Sequence, residues 1–225
     1  MLKIAHRGAS GQYPENTLLA FAKALEMGAD ALELDVHVCK TGEPVVIHDD
    51  TLERTTTGKG EVALHTLAEL KKLEAGQGEP IPTLAELFDL VAGKAVIFIE
   101  LKSLDSALPV ARLIQRHVRE KGWRYDQLIA MSFHHELLTQ AKAFDGGIYL
   151  SASLMEMPYD LAAGLKNLGA WAVTPCVDKV TPAFITDARQ RGLKIFTWTV
   201  NTPERVAYAK SLGVDGIMGD FIDRL

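Results

Sequence analysis

The stretch ALELDVHVCKTGEPVVIH, residues 31–48, holds two strand-like runs separated by only six residues. Ala31 to Val38 alternates, with Leu32, Leu34, Val36 and Val38 on one face and Glu33, Asp35 and His37 on the other. A parallel crossover needs a dozen or more residues, so Val45 to His48 is expected to return antiparallel to this run. Gly42, near the centre of Lys40-Thr41-Gly42-Glu43, suits a tight turn. With Thr41 and Gly42 as the turn pair, the register sets Lys40 against Glu43, Val38 against Val45 and Asp35 against His48. A carboxylate and an imidazole would then be cross-strand neighbours.

Outward from this hairpin, runs rich in β-branched residues alternate with amphipathic stretches, the pattern of βα units around a parallel sheet. The expected strands are Leu2 to His6, Ala31 to Val38, Ala95 to Leu101, Leu128 to Phe133, Ile148 to Ser151, Ala170 to Thr174, Lys194 to Val200 and Gly216 to Met218. Eight such units in 225 residues give an α/β fold of the (β/α)8 TIM barrel kind, with residues 1–225 as one barrel domain. The first helix is expected to take Asn16 as its N-cap and Gly28 as its stop; others begin after Ser103, after Phe133 and near Tyr159, Pro182 and Pro203. Residues 51–93 form a small insertion after the second strand. Thr66…Glu69 and Thr83…Glu86 read as capping boxes that open two helices there. The second is expected to serve as a barrel helix, and residues 51–65 are placed to roof the C-terminal mouth.

Lys plus Arg total 24 against 29 for Asp plus Glu, and no basic stripe interrupts the chain, which argues against nucleic acid or an anionic membrane as partner. No apolar run approaches the roughly 20 residues of a membrane span. The N-terminal MLKIAHRG starts a strand at once instead of a signal h-region. Cys39 and Cys176 are far apart and outside any metal or redox spacing. A cytoplasmic location without stable membrane association is expected. Without a GxGxxG, Walker or GxSxG motif, nucleotide cofactors and serine hydrolysis have no support.

Polar residues gather at strand ends, where a (β/α)8 barrel assembles its site. Glu33 and Asp35 share a face of one strand, and Glu100 shares parity with Lys102 on the next. Carboxylates inside a buried sheet need a counter-charge. An ion pair with Lys102 or Arg7 would supply it. Three carboxylates together favour one divalent cation, and an all-oxygen set suits Mg²⁺ or Ca²⁺ better than zinc. His6 and His48 can move protons near neutral pH, while Arg7 and Lys102 are placed to hold a phosphate. Trp198 offers an apolar wall to a small alcohol or an ordinary piece of barrel core. His37, His65, His117, His134 and His135 are read as solvated surface positions. Glu15 is placed to brace the His6–Arg7 loop.

His6-Arg7-Gly8, Pro14-Glu15-Asn16-Thr17, Glu33-Leu34-Asp35-Val36, Val46-Ile47-His48-Asp49, Ile99-Glu100-Leu101-Lys102 and Gly213-Val214-Asp215-Gly216-Ile217, in this order, resemble the glycerophosphodiester phosphodiesterases. The resemblance runs over nearly the whole chain. It implies a barrel with an insertion after the second strand and a reaction that cleaves glycerophosphodiesters to sn-glycerol 3-phosphate and an alcohol. It further implies His6 and His48 as acid/base pair, Arg7 and Lys102 as phosphate ligands, and Glu33, Asp35 and Glu100 as metal ligands. Departures from the family pattern at Cys39-Lys40-Thr41-Gly42, at His134 and at Gly219-Asp220, where Gly219 replaces a more usual Thr, touch none of the proposed metal or acid/base residues and bear on substrate detail more than on reaction class. Two rival readings are a phosphoinositide or sphingolipid phosphodiesterase, usually a membrane worker, and a non-catalytic barrel that binds a phosphorylated metabolite. The intact set of two histidines and three carboxylates argues against the second.

Overall fold

A computed structural model describes all 225 residues. The strands are β1 (Leu2–His6), β2 (Ala31–Val38), β3 (Pro44–Val46), β4 (Val96–Leu101), β5 (Leu128–Ser132), β6 (Tyr149–Leu154), β7 (Ala172–Pro175), β8 (Lys194–Thr197) and β9 (Gly216–Gly219). All but β3 run parallel, each beside the next, and β1 pairs with both β9 and β2. The sheet therefore closes on itself as an eight-stranded (β/α)8 barrel.

The helices are α1 (Leu18–Glu26), α2 (Leu67–Leu70), α3 (Leu84–Val91), α4 (Ala107–Glu120), α5 (His135–Phe144), α6 (Ala163–Asn167), α7 (Pro182–Gln190) and α8 (Pro203–Leu212). Their starts are written locally. Thr66 and Thr83 form both expected capping boxes, with Glu69 and Glu86 reaching back. Thr181 and Thr202 cap α7 and α8, each followed by a proline whose missing N–H is no loss at that position.

Strand parity separates two cores. Leu32, Leu34 and Val36 of β2 and Ile97 and Ile99 of β4 face outward and pack under the helices. Ile4, Phe98, Ile129, Phe196 and Met218 fill the barrel interior below the mouth. Phe98 and Phe196 meet edge to face with centroids 4.8 Å apart. Truncating either to Ala is expected to cost about 3–5 kcal/mol, because a close-packed interior cannot collapse onto the gap. Glu33 and Asp35, with the opposite parity to the leucines, are left inside the barrel.

The hairpin forms, but one residue out of the expected register. Val36 faces Val46, His37 faces Val45 and Val38 faces Pro44. The turn is three residues long: Gly42 N–H donates to Cys39 O, and Gly42 has φ 95°, a left-handed value that suits glycine. An odd loop shifts every pair by one, so Asp35 stands against Ile47, whose N–H donates to Asp35 O, and His48 is not its cross-strand partner. β8 ends at Thr197, three residues earlier than expected, and β6 runs on to Leu154, three residues later.

Within residues 51–93, α3 packs against α1 as the expected barrel helix. The rest builds a small apolar core of its own from Leu52, Val62, Leu70, Ala75 and Ile81 against Cys39, Val45 and Ile47. That core holds the segment against the hairpin. Residues 51–65 contribute nothing to the lining of the main cavity; Arg54 of that segment bonds Glu15 and Asp49 beside it.

Candidate active site

β1, β2 and β4 deliver the charged residues to the mouth in register. His6 stands beside Glu33, and Asp35 stands beside Glu100. Oxygens of Glu33, Asp35 and Glu100 lie within 4.8 Å of one another, and all three residues are buried. One oxygen of each is held by the protein. Glu33 Oε2 accepts from Arg7 N–H at 3.0 Å, Asp35 Oδ2 accepts from Asn16 Nδ2 at 2.9 Å, and Glu100 Oε1 accepts from Lys102 Nζ at 3.0 Å. Burial, reinforced by the Asp35 and Glu100 charges, pushes Glu33 up to about 8. Burial and the Asp35 charge raise Glu100 as well. Three carboxylates in one buried space repel one another, and an oxygen-only donor set of this kind fits a hard divalent cation.

The turn after β1 is as constrained as the strands. Arg7 has φ 58° and Gly8 φ 80°, and a Cβ on Gly8 would meet the Ala20 backbone of α1 at 2.8 Å. This close approach bends the chain so that Arg7 N–H donates to Glu33 O at 2.9 Å. The Arg7 guanidinium reaches Glu15 Oε1 at 2.9 Å through Nη1, and its buried Nε lies 3.2 Å from Asp35 Oδ2 without an aligned hydrogen bond. Glu15 thus braces the loop, as expected. Arg54 of the insertion adds a second clamp, its fork bonded to both Glu15 and Asp49.

Each histidine has a carboxylate behind it. His6 Nδ1 lies 2.7 Å from Asp220 Oδ1, and His48 Nδ1 lies 2.6 Å from Asp49 Oδ1. That leaves Nε2 of both rings for other work. His6 Nε2 is 3.9 Å from Glu33 Oε2, and His48 Nε2 is 3.3 Å from Lys102 Nζ. Burial presses the His6 pKa down, but the Asp220 hydrogen bond and the Glu33 charge outweigh it and the net shift is upward. The Arg54 hydrogen bond holds Asp49 well below the usual carboxylate range, His48 adding to it.

A cavity of about 200 Å³ opens at this mouth, lined by His6, Arg7, Glu33, His48, Glu100 and Lys102 on one side. Met131, Phe133, Ser153, Met155, Trp198 and Met218 line the other. Trp198 stands edge to face with Phe133, centroids 5.4 Å apart, and its indole N–H donates to Thr174 O. All eight residues singled out in the sequence converge here: seven line the cavity directly, and Asp35 lies behind Lys102 at 3.8 Å.

Several sequence expectations need correcting. Asn16 is not the N-cap of α1; Thr17 is, and its hydroxyl accepts from Ala20 N–H. Asn16, φ 58°, is buried against Asp35. His37 is buried and bonds His48 O through Nε2, and His117 is buried against Phe88 and bonds Leu113 O. Neither is a surface residue. Asp220, which follows the departure at Gly219, is the partner of His6. Asp49 had a visible signal, adjacent to His48 in sequence; Asn16 stood in the Pro14-Glu15-Asn16-Thr17 motif but with an adequate role as a cap, and Asp220 had no pattern that separates it from an ordinary loop residue.

The sequence model of the glycerophosphoryl diester phosphodiesterase family matches residues 6–224. A glycerophosphodiester phosphodiesterase of Caldanaerobacter subterraneus subsp. tengcongensis is 38% identical over 97% of this chain and 93% of its own length. One from Bacillus altitudinis is 36% identical over 100% of this chain and 96% of its own. Among solved structures, a phosphodiesterase of Oleispira antarctica in complex with the product sn-glycerol-3-phosphate superposes with a TM-score of 0.92. It is 29% identical, and the match covers 100% of this chain and 94% of that one. No helix of the present chain is long and apolar enough to cross a membrane. With residues 6–224 matched and the strand order of a closed barrel, the chain belongs to the glycerophosphoryl diester phosphodiesterase family.

Proposed function

We propose that this chain, acting as one catalytic barrel over residues 1–225 and located in the cytoplasm, hydrolyses small glycerophosphodiesters to sn-glycerol 3-phosphate and an alcohol. The observation that carries the reading is the pair of His–Asp couples, His6–Asp220 and His48–Asp49, flanking one buried carboxylate cluster at the mouth of the cavity. Glu33, Asp35 and Glu100 would hold one divalent cation, Mg²⁺ or Ca²⁺. When bound, such a cation neutralises charge that builds on phosphoryl oxygens.

The chain's own residues do the rest. Arg7 and Lys102 line the cavity as cations and bind the phosphate, Arg7 by its fork and Lys102 as a point charge. Lys102 Nζ, an obligate donor, points at His48 Nε2, so that nitrogen is the acceptor and Nδ1–H donates to Asp49 Oδ1. His48 is therefore the base that takes a proton from the nucleophile, water or the neighbouring glycerol hydroxyl. His6 Nδ1 lies 2.7 Å from the Asp220 carboxylate, which favours a protonated ring. It is the acid that hands a proton from Nε2 to the leaving oxygen. Phe133 and Trp198 keep water from the opposite wall.

Incubation with glycerophosphocholine, glycerophosphoethanolamine and glycerophosphoglycerol, with and without chelator, tests the reading when glycerol 3-phosphate is detected by a coupled enzyme. Release of glycerol 3-phosphate that stops on chelation is expected. Full activity after exhaustive chelation removes the metal, and a cyclic phosphate as sole end product would favour the rival chemistry.

A further inference from the structure

Ser153 is the one polar residue on the apolar side of the cavity, and nothing in the fold explains its hydroxyl. It lies on β6, on the same face as Ser151, whose hydroxyl is paired with Thr174 Oγ1 inside the barrel. Ser153 sits one step nearer the mouth, 3% exposed, and its Oγ has no hydrogen-bond partner. Met131, Phe133, Met155 and Trp198, which share its side of the lining, carry no side-chain hydroxyl or carboxylate, and the hydroxyl of Thr174, its register partner on β7, is taken by Ser151. A buried hydroxyl left unpaired costs about 1–3 kcal/mol, so a sequence that only needed to fill this wall would do better with an apolar side chain.

We infer that Ser153 is a specificity-determining residue that hydrogen-bonds a hydroxyl of the substrate's glycerol moiety. This rests on the reading of the chain as a glycerophosphodiester phosphodiesterase. Depth assigns the hydroxyl to the glycerol moiety and not to the leaving alcohol. Met155, two residues on along the same line, is 53% exposed at the rim, whereas Ser153, one layer further in, is 3% exposed. The group that all glycerophosphodiesters share fits the closed inner end, and the variable alcohol fits the open rim. A single hydroxyl, donor and acceptor at once, among methionines and aromatics matches a short polyol, which presents carbon to the wall and one hydroxyl to the serine. A quaternary ammonium group would leave that hydroxyl unpaired.

The test compares sn-glycerol 3-phosphate with n-propyl phosphate, which has the same phosphate and carbon chain but no hydroxyl, by titration calorimetry on the metal-loaded protein. Wild type is expected to bind glycerol 3-phosphate more tightly. Ser153→Ala should weaken glycerol 3-phosphate about three- to tenfold, the worth of a neutral hydrogen bond, and leave n-propyl phosphate within about twofold. Because the substitution removes an unpaired buried group, its melting temperature should be no lower than that of wild type, which keeps folding out of the comparison. Equal affinity of wild type for the two ligands, an unchanged glycerol 3-phosphate affinity in the variant, or an equal loss for both ligands overturns the assignment. Failure of the functional reading itself shows separately, as wild type that releases no glycerol 3-phosphate from any glycerophosphodiester; the assignment then falls with it.

Discussion

Asp220 Oδ1 lies 2.7 Å from His6 Nδ1, a contact between residues 214 apart in sequence. Asn201 Nδ2 and Ser10 Oγ bond the same carboxylate, so its position is fixed before the imidazole arrives. His6 is raised above its usual pKa, so this contact stabilises the fold fully below pH 6.5 and loses that effect as pH rises through the raised value. Asp220→Asn keeps the shape and removes the charge. The limb of the pH–rate profile set by His6 should then move to lower pH. Since general acid catalysis contributes roughly 10²–10⁴-fold, kcat should fall within or just below that range, with KM little changed. An unshifted pH profile would mean that Asp220 does not act through His6.

Glu33 carries the next prediction. Its carboxyl is pushed up to about 8 in the metal-free protein, against 4.5 in the unfolded chain, so at pH 7 the folded protein holds a proton that the unfolded chain has lost. Its favourable contribution is complete below pH 4.5 and is lost as pH rises through about 8, so the metal-free barrel should weaken across that window. A cation needs the ionised carboxylate and should expel the proton. Calorimetric titration with Ca²⁺ at pH 7, in buffers of different ionisation enthalpy, is expected to report release of about one proton. Zero release, with binding intact, would sink this account of the cluster.

Asn16 should matter to stability. Its backbone sits at φ 58°, which asparagine tolerates and alanine resists, and its side chain donates to buried Asp35. Asn16→Ala combines backbone strain with an unpaired carboxylate oxygen and is expected to cost about 2–3 kcal/mol. In a chain of this size that lowers Tm by roughly 4–12 °C. Asn16→Gly relieves the strain alone, and differential scanning calorimetry of the pair separates the two contributions. Equal Tm values for Asn16→Ala and wild type would contradict both.

The barrel was legible because its signals are local: alternation in Ala31–Val38, glycines after helices, and threonine–glutamate capping boxes that form as written. The charged side of the site was legible for the same reason, since parity alone puts Glu33 and Asp35 on one face. Contacts fixed by tertiary geometry were not. One extra turn residue, Lys40, moved the hairpin register and with it the neighbour assigned to His48. Asn16 reads as a cap because asparagine and threonine are both good caps and only the backbone decides between them. His37 and His117 read as surface because a histidine with one satisfied nitrogen has no distinct sequence pattern. Ser153 lay beyond the expected end of its strand at Ser151, and three more residues of β6 bring it into the cavity.

The division of labour between the histidines yields the last prediction. With glycerophosphocholine as substrate, both the attack and the departure of a poor leaving group need proton transfer, so His6→Ala and His48→Ala should each lower kcat roughly 10²–10⁴-fold. Lys102→Ala should raise KM as well, because it removes a cation that binds the phosphate in the ground state. A glycerophosphodiester of p-nitrophenol changes the demand, since nitrophenolate leaves without a proton. The variant that lacks the acid should then recover most of its loss, while the variant that lacks the base should not. The Lys102 contact on His48 Nε2 and the Asp220 and Glu33 oxygens around His6 assign recovery to His6→Ala. The measurement is the ratio of wild-type to variant kcat on the two substrates, with folding checked by circular dichroism. Recovery by His48→Ala in place of His6→Ala would exchange the two roles. Recovery by neither would show that both rings serve attack or binding and that departure of the alcohol needs no protein acid.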